Sequence, residues 1–322
     1  MTRPPTLIAV DGFAGTGKST VAQALWLHLV RSGREASWLH EHERAHPVFE
    51  YGEPEELLGL LPDAFEARVL AGWQAWVGAA NGSGPRVIEG SFVQIPVGVM
   101  LAMNVSAARI RAVLRRIDAI AARGGAALVY LFRPDLRAAL LQVGDERGAQ
   151  WLESMTAAVA QSRYGRAHRV GSVDGLVGFY QRQRAIVEAV FPTLTVRRLA
   201  IEAGTGSAAW GRVERHVAAF LGVRRVPAEP LPPSALLRHA GHYRGAASGR
   251  PATITTDGAA LYLQLPQTRL LPLVRVGGAH FCPRSLPIDV RFVYDRSRRA
   301  RSFSYESRMV NEVLTDASWI RA

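Results

Sequence analysis

The sequence predicts an α/β chain, a parallel sheet with helices on both faces, followed by a small antiparallel β-barrel-like domain at the C-terminal end. Two observations carry this. Over residues 1–222 short apolar runs alternate with helical patterns, as the strands and crossover helices of a parallel sheet do. Beyond residue 236 the hydrophobic period falls to two, and Asp-Gly, Gly-Gly and Asp-Arg-Ser turns separate the runs. The stretch between, 223–236, is proline-rich and reads as a linker, so the expected units are 1–222, 223–236 and 237–322.

In chain order, Leu7-Ile8-Ala9-Val10 reads as a buried strand, then a glycine-rich turn leads into a helix over 21–30. A second short strand is expected at 35–40, running into a polar loop, and a helix at 62–80 with Phe65, Val69, Trp73, Trp76 and Val77 on one side. A turn at 81–85 precedes a third strand at 86–91, which carries Glu89 near its end. An amphipathic helix at 104–122 breaks at Gly124-Gly125, and a fourth strand at 126–132 meets Arg133-Pro134-Asp135 and a new helix. Helices at 148–164 and 173–191 flank an arginine-dense link; a fifth strand at 193–201 and a helix at 208–221 close the unit. Strand candidates in the tail are 252–256, 259–265, 270–276, 290–294 and 301–305. There are no internal repeats.

Composition narrows the class. The chain has 322 residues, 48% hydrophobic and 20% charged, which leaves room for two domains. No apolar run reaches membrane-spanning length and no signal peptide is legible, so a cytoplasmic protein without a membrane partner is expected. Cys282 is the only cysteine, which argues against a disulfide framework or a thiolate metal site. His239, His242 and His280 lack metal-ligand spacing and read as structural. The net charge is +12, with 24 basic against 20 acidic residues up to 222 and 15 against 7 beyond it. That basic tail suits an anionic partner or a solvated arginine-rich surface.

The chemistry centres on residues 12–19, which fit G-x-x-x-x-G-K-[ST] between a strand and a helix. Gly12, Gly15, Thr16, Gly17, Lys18, Ser19 and Thr20 are the expected phosphate cradle: backbone N–H groups curl round phosphate oxygens and a helix N-terminus adds partial positive charge. Lys18 would reach the β/γ-phosphates and Ser19 would hold Mg²⁺. Lys18 is also the only lysine among 39 basic residues. Lysine persists here, in a chain otherwise committed to arginine, where a compact ammonium on a flexible stem is needed.

A carboxylate must then position the metal or take a hydroxyl proton. Glu89 is the candidate for Mg²⁺. Glu41, just past the second strand, is the candidate base, and Asp11 directly before the loop is the alternative contact to metal or acceptor. Arg163, Arg166 and Arg169 lie in a glycine-hinged segment that could close over the transferring phosphate. Trp73, Trp76 and Phe92 either pack a core or stack on a flat acceptor.

On these residues the first 222 positions resemble the deoxynucleoside kinase and thymidylate kinase group of P-loop kinases. Residues 11–20 look like their phosphate loop. Glu41-His42-Glu43-Arg44-Ala45-His46-Pro47 falls where that group has a glutamate whose carboxylate acts as base, and Val87-Ile88-Glu89-Gly90-Ser91 is similar to a Glu-Arg-Ser segment whose Glu serves Mg²⁺. Val129-Tyr130-Leu131-Phe132-Arg133-Pro134-Asp135 resembles the group's fourth strand, and Arg163, Arg166 and Arg169 stand at its lid. Gly90 departs from the pattern by replacing an arginine, as does the sequence that follows Glu41. The tail is similar to small lipocalin-like β-domains appended to bacterial hydrolases.

The resemblance implies a P-loop NTPase sheet, ATP and Mg²⁺ as cofactors, and γ-phosphate transfer to a small-molecule acceptor held by Asp11, Glu41, Trp73 and Phe92. Two other readings stay open. One is a polynucleotide 5′-hydroxyl kinase or nucleic-acid ATPase, suggested by the basic tail though no aromatic-plus-basic RNA motif is present; the other is an ATP-gated regulatory protein. A homodimer is compatible with all three.

Overall fold

The structure, a computed structural model, describes residues 5–44, 46–49, 59–79, 84–266, 268–310 and 317–322. Ala80, the turn residues 81–83 and Ala45 of the polar loop lie outside them. Five parallel strands form the first sheet: β1 (Leu7–Gly12), β2 (Ser37–Leu39), β3 (Arg86–Glu89), β4 (Ala127–Phe132) and β5 (Arg197–Glu202). Their spatial order is β2-β3-β1-β4-β5. β1 therefore lies in the middle and its carboxyl end opens onto the ends of β3 and β4, with Val10 level with Glu89 and Gly12 with Leu131. That is where a covered parallel sheet gathers its ligands.

Helices cover both faces. One holds α1 (Lys18–Arg31) and α9 (Gly206–Leu221), whose Val21, Leu25, Leu29, Val213 and Val217 pack with Ile8 and Val10. The other holds α2 (Pro62–Gly78), α3 (Gln94–Ala102), α4 (Ala107–Arg123), α5 (Leu136–Arg147), α6 (Ala149–Gln161), α7 (Arg163–His168) and α8 (Val173–Val190). Their apolar sides join one core with Leu7, Ala9, Phe13 and Leu128.

Helix α3 is absent from the periodicity reading. It carries Pro96, and its apolar residues leave no polar stripe to reveal a period. Its position is fixed by Asp11, whose carboxylate accepts from the backbone N–H groups of Gly12, Phe92, Val93 and Gln94 at 2.8–3.0 Å. Asp11 is thus the buried anchor of the α3 N-terminus and not an acceptor contact, since both oxygens are taken. Burial outweighs those four bonds and raises its pKa to about 6. Asp11→Ala would leave four buried N–H groups unpaired and is expected to cost about 3 kcal/mol or more in urea unfolding. A loss below about 1 kcal/mol would contradict this role.

The C-terminal unit is a closed eight-stranded antiparallel barrel in the order β10-β11-β12-β13-β6-β7-β8-β9. Its strands are β6 (Gly241–Gly245), β7 (Pro251–Thr256), β8 (Leu261–Gln264), β9 (Leu271–Gly277), β10 (His280–Pro283), β11 (Ile288–Tyr294), β12 (Ala300–Ser307) and β13 (Ser318–Arg321). Five of the eight match the period-two runs; β6, β10 and β13 are short, and glycine or proline interrupts the pattern in the first two. A short helix, α10 (Pro233–Leu237), begins inside the proline-rich stretch. Tyr243, Phe281, Phe292, Phe303 and Trp319 fill the barrel interior, with the Phe303 and Trp319 rings stacked at 5.9 Å.

The barrel packs on the side of α1 that the sheet does not use. Thr20, Gln23, Leu27 and Arg31 recur at helical spacing along that side. Gln23 donates to the Pro283 carbonyl (2.9 Å) and accepts from the Ser285 N–H (2.8 Å), while Leu27 packs with Val276 and Cys282. Gln23 is buried but satisfied, as a polar group inside an interface must be.

Candidate active site

A cleft of about 480 Å³ opens at the carboxyl ends of the central strands, within the usual range for small-molecule sites. Gly15, Gly17, Lys18, Ser19 and Thr20 form its floor, and Glu41 and His42 line it from the loop after β2. The loop geometry needs its glycines. Gly17 has φ +73, and a Cβ there would lie 1.9 Å from the Trp210 ring, so that indole lies directly against the loop backbone.

Lys18 is buried, with its Nζ 2.9 Å from Glu41 Oε1. Burial opposes its charge, but Glu41 and Glu89 outweigh burial and raise its pKa. Glu41 is likewise opposed by burial and held well below the usual carboxylate range by Lys18, His42 and His40. Glu89 behaves in the opposite way: burial, reinforced by Glu41, raises its pKa despite Lys18. Two neighbouring carboxylates are thereby pushed apart in acidity, a pattern frequent at functional sites.

Gly90 accounts for one departure noted above. Its φ is +69, and a Cβ at that position would come within 2.5 Å of Glu41 Oε2. A side chain after Glu89 would displace the Glu41 carboxylate. Gln94, the first residue of α3, steadies the same group by donating from Nε2 to Oε2 at 2.9 Å.

Histidines support both acids. His40 Nδ1 accepts the His42 N–H (3.1 Å), which leaves Nε2 to carry the proton 3.1 Å from Glu89 Oε1. His46 Nδ1 accepts from Val48 and Phe49, and its Nε2 lies 3.0 Å from Ser91 Oγ, which donates to the Glu89 carbonyl. Burial pushes both imidazoles down to about 3, so each is neutral in the folded chain. Unfolding restores a pKa near 6.5, the unfolded state binds the extra proton, and this contribution to stability is lost as pH falls from about 6.5. His46→Asn keeps an acceptor for the loop. Its stability deficit at pH 7 is therefore expected to shrink by about 2 kcal/mol at pH 5. Urea titrations at the two pH values check this, and an unchanged deficit would mean His46 is charged when folded.

Neither Glu89 oxygen has an aligned hydrogen-bond partner among the described residues, although the Ser19 hydroxyl and the Glu41 backbone N–H are near enough to favour its ionised form in part. A buried carboxyl beside a hydroxyl fits a hard divalent cation of the Mg²⁺ kind, whose charge would favour the ionised form that burial opposes. No group of three or more His, Cys, Asp or Glu among the described residues makes a cage of its own. Mg²⁺ ordinarily relies on water and substrate phosphate for its remaining ligands.

Several expected site residues lie elsewhere. Arg163, Arg166 and Arg169 are exposed and do not line the cleft. Ser162 caps α7 by accepting from Gly165, and the resulting turn of helix directs the arginines outward, with Arg166 bonded back to the Gln161 carbonyl. Trp73 and Phe92 are wholly buried, packed edge to face at 5.4 Å, and Trp73 Nε1 donates to the Ser91 carbonyl. They brace the β3–α3 turn from beneath. The cleft's arginines are instead Arg133, Arg147, Arg269 and Arg284, joined by Trp151, Met155, Tyr180 and Trp210. Arg147, at the end of α5, is close enough to act electrostatically on Lys18, His42 and Tyr180. Arg133 directly follows the fourth apolar run, a position sequence can flag; nothing local distinguishes Arg147, Arg269 or Arg284.

No protein-family model and no curated protein matches this chain. No helix among the described residues is long and apolar enough to cross a membrane.

Proposed function

We propose that this chain is an ATP-dependent phosphotransferase of P-loop type, moving the γ-phosphate of ATP to a hydroxyl or phosphate of a small molecule. The observation that carries the reading is the convergence on one buried lysine: Lys18, in a G-x-x-x-x-G-K-S loop at the centre of the sheet, lies 2.9 Å from Glu41 and within the field of Glu89. Phosphate oxygens reaching Lys18 exchange one anionic partner for another. Glu41 is then released from its ion pair, its basicity rises, and it can accept a proton from an acceptor hydroxyl. Ser19 and Glu89 would hold Mg²⁺, which when bound neutralises charge on the phosphates. Arg133 and Arg147 supply the fixed positive charge first assigned to the 163–169 link.

The test is a transfer assay with Mg²⁺ and γ-labelled ATP over nucleosides, nucleoside monophosphates, hydroxylated antibiotics and 5′-hydroxyl oligonucleotides. Label moving onto one class names the acceptor. ATP binding with no transfer to any class would instead favour an ATP-gated regulatory protein.

A further inference from the structure

The barrel is not a neighbour of the cleft but one of its walls. The loop between β8 and β9 contributes Arg269 and Leu270, the start of β9 contributes Leu271 and Pro272, and the turn after β10 contributes Arg284 and Ser285. Three features place these residues at the phosphate-loop end. Ser285 Oγ lies 2.8 Å from Thr20 Oγ1, in the first turn of α1, so Arg284 is held beside the helix terminus where anions gather. Ser285 adopts φ +62, a left-handed conformation a serine keeps only when its surroundings enforce it. Arg269 donates to the Glu146 carbonyl at 3.3 Å, so the β8–β9 loop reaches across to α5 on the other side of the cleft.

The chemistry of this wall is divided. Arg284 is exposed to the cleft and pairs with no carboxylate among the described residues. Leu270 is one of the few large apolar side chains left substantially open, 48% exposed, and it lines the same cleft as Trp210. The wall thus offers cationic hydrogen-bond donors, Arg284 and Arg269, together with the apolar surface of Leu270.

We propose that the barrel supplies part of the nucleotide site itself, Arg284 binding the polyphosphate and Leu270 covering the nucleoside. The assignment rests on the phosphotransferase reading and extends it: the C-terminal unit is a substrate-binding component, and part of its positive charge has a ligand. A nucleoside triphosphate can use both surfaces, whereas inorganic triphosphate can use only the cationic one.

The experiment measures equilibrium binding of Mg²⁺·ATP and of Mg²⁺·inorganic triphosphate to the full chain and to Lys18→Ala, Arg284→Ala and Leu270→Ser, with thermal unfolding confirming that each variant is folded. Arg284→Ala is expected to weaken both ligands about tenfold or more, the usual scale for a charged hydrogen bond to phosphate. Leu270→Ser is expected to weaken ATP several-fold and leave triphosphate unchanged. If the wild type binds ATP and Lys18→Ala abolishes binding, but neither barrel variant changes it, the barrel assignment is overturned and the phosphotransferase reading stands. If the wild type binds neither ligand, both fall together.

Discussion

Lys18→Ala is expected to lower kcat/KM for phosphoryl transfer by three orders of magnitude or more, about 4 kcal/mol of transition-state stabilisation. The lysine is the one cation at the floor of the cleft, and burial there strengthens its interaction with any phosphate that enters. Lys18→Arg is expected to fail nearly as badly, because Lys18 is buried with its Nζ already 2.9 Å from Glu41, a position a larger planar guanidinium would not reproduce. Removing the lysine also strands Glu41 as a buried unpaired charge, so part of any loss could come from unfolding. The double variant Lys18→Met with Glu41→Gln removes that complication by neutralising both partners. Recovery of stability without recovery of transfer is the expected pattern, read from thermal midpoints beside initial rates. Transfer persisting in the folded Lys18→Ala protein would sink the proposed function.

The second large effect belongs to Glu41. Glu41→Gln is expected to reduce kcat by two to four orders of magnitude, the range for losing a general base, with KM for ATP changed far less. The amide keeps the shape and one acceptor for Gln94 but cannot take a proton. Glu89→Gln should behave differently. It is expected to raise the Mg²⁺ concentration needed for half-maximal rate, because the oxygens left without aligned partners are those a cation would satisfy. Steady-state rates across a Mg²⁺ series separate the two roles. Identical kinetic signatures for both variants would mean that the carboxylates do not divide the work as their opposite shifts in acidity indicate.

Much of the architecture was legible in local pattern. The five strands of the sheet fall within or beside the runs that announced them, most clearly β1, β3 and β4, because a strand buried on both faces has to be largely apolar, whereas the edge strands β2 and β5 keep exposed residues. Boundaries were less secure: the fifth strand begins at Arg197, well after the residue 193 that its apolar run suggested. Helix α3 escaped notice since a helix buried all round carries no amphipathic signature. In the barrel, alternation marked five of the strands, while β6, β10 and β13 gain their strand character from neighbours.

The candidate site divides along the same line. Sequence alone determined the glycine loop, Lys18, Ser19 and the two carboxylates, because each is tied to a strand end or to a fixed spacing along the chain. It could not decide which arginines face the cleft, since an arginine on a helix end or hairpin turn looks the same whether it points to solvent or across a domain boundary. Tertiary structure turned Arg163, Arg166 and Arg169 outward, brought Arg147 within electrostatic reach of Lys18, and packed the barrel on α1 so that Arg284 and Leu270 became walls of the cleft. It also turned Asp11 from a candidate ligand into an anchor for α3, by bringing the N–H groups of Phe92, Val93 and Gln94, some eighty residues away, to a carboxylate that already accepts from Gly12. Local periodicity and motif spacing are properties of a few consecutive residues, whereas burial, pairing and acidity are set by whatever the fold brings alongside.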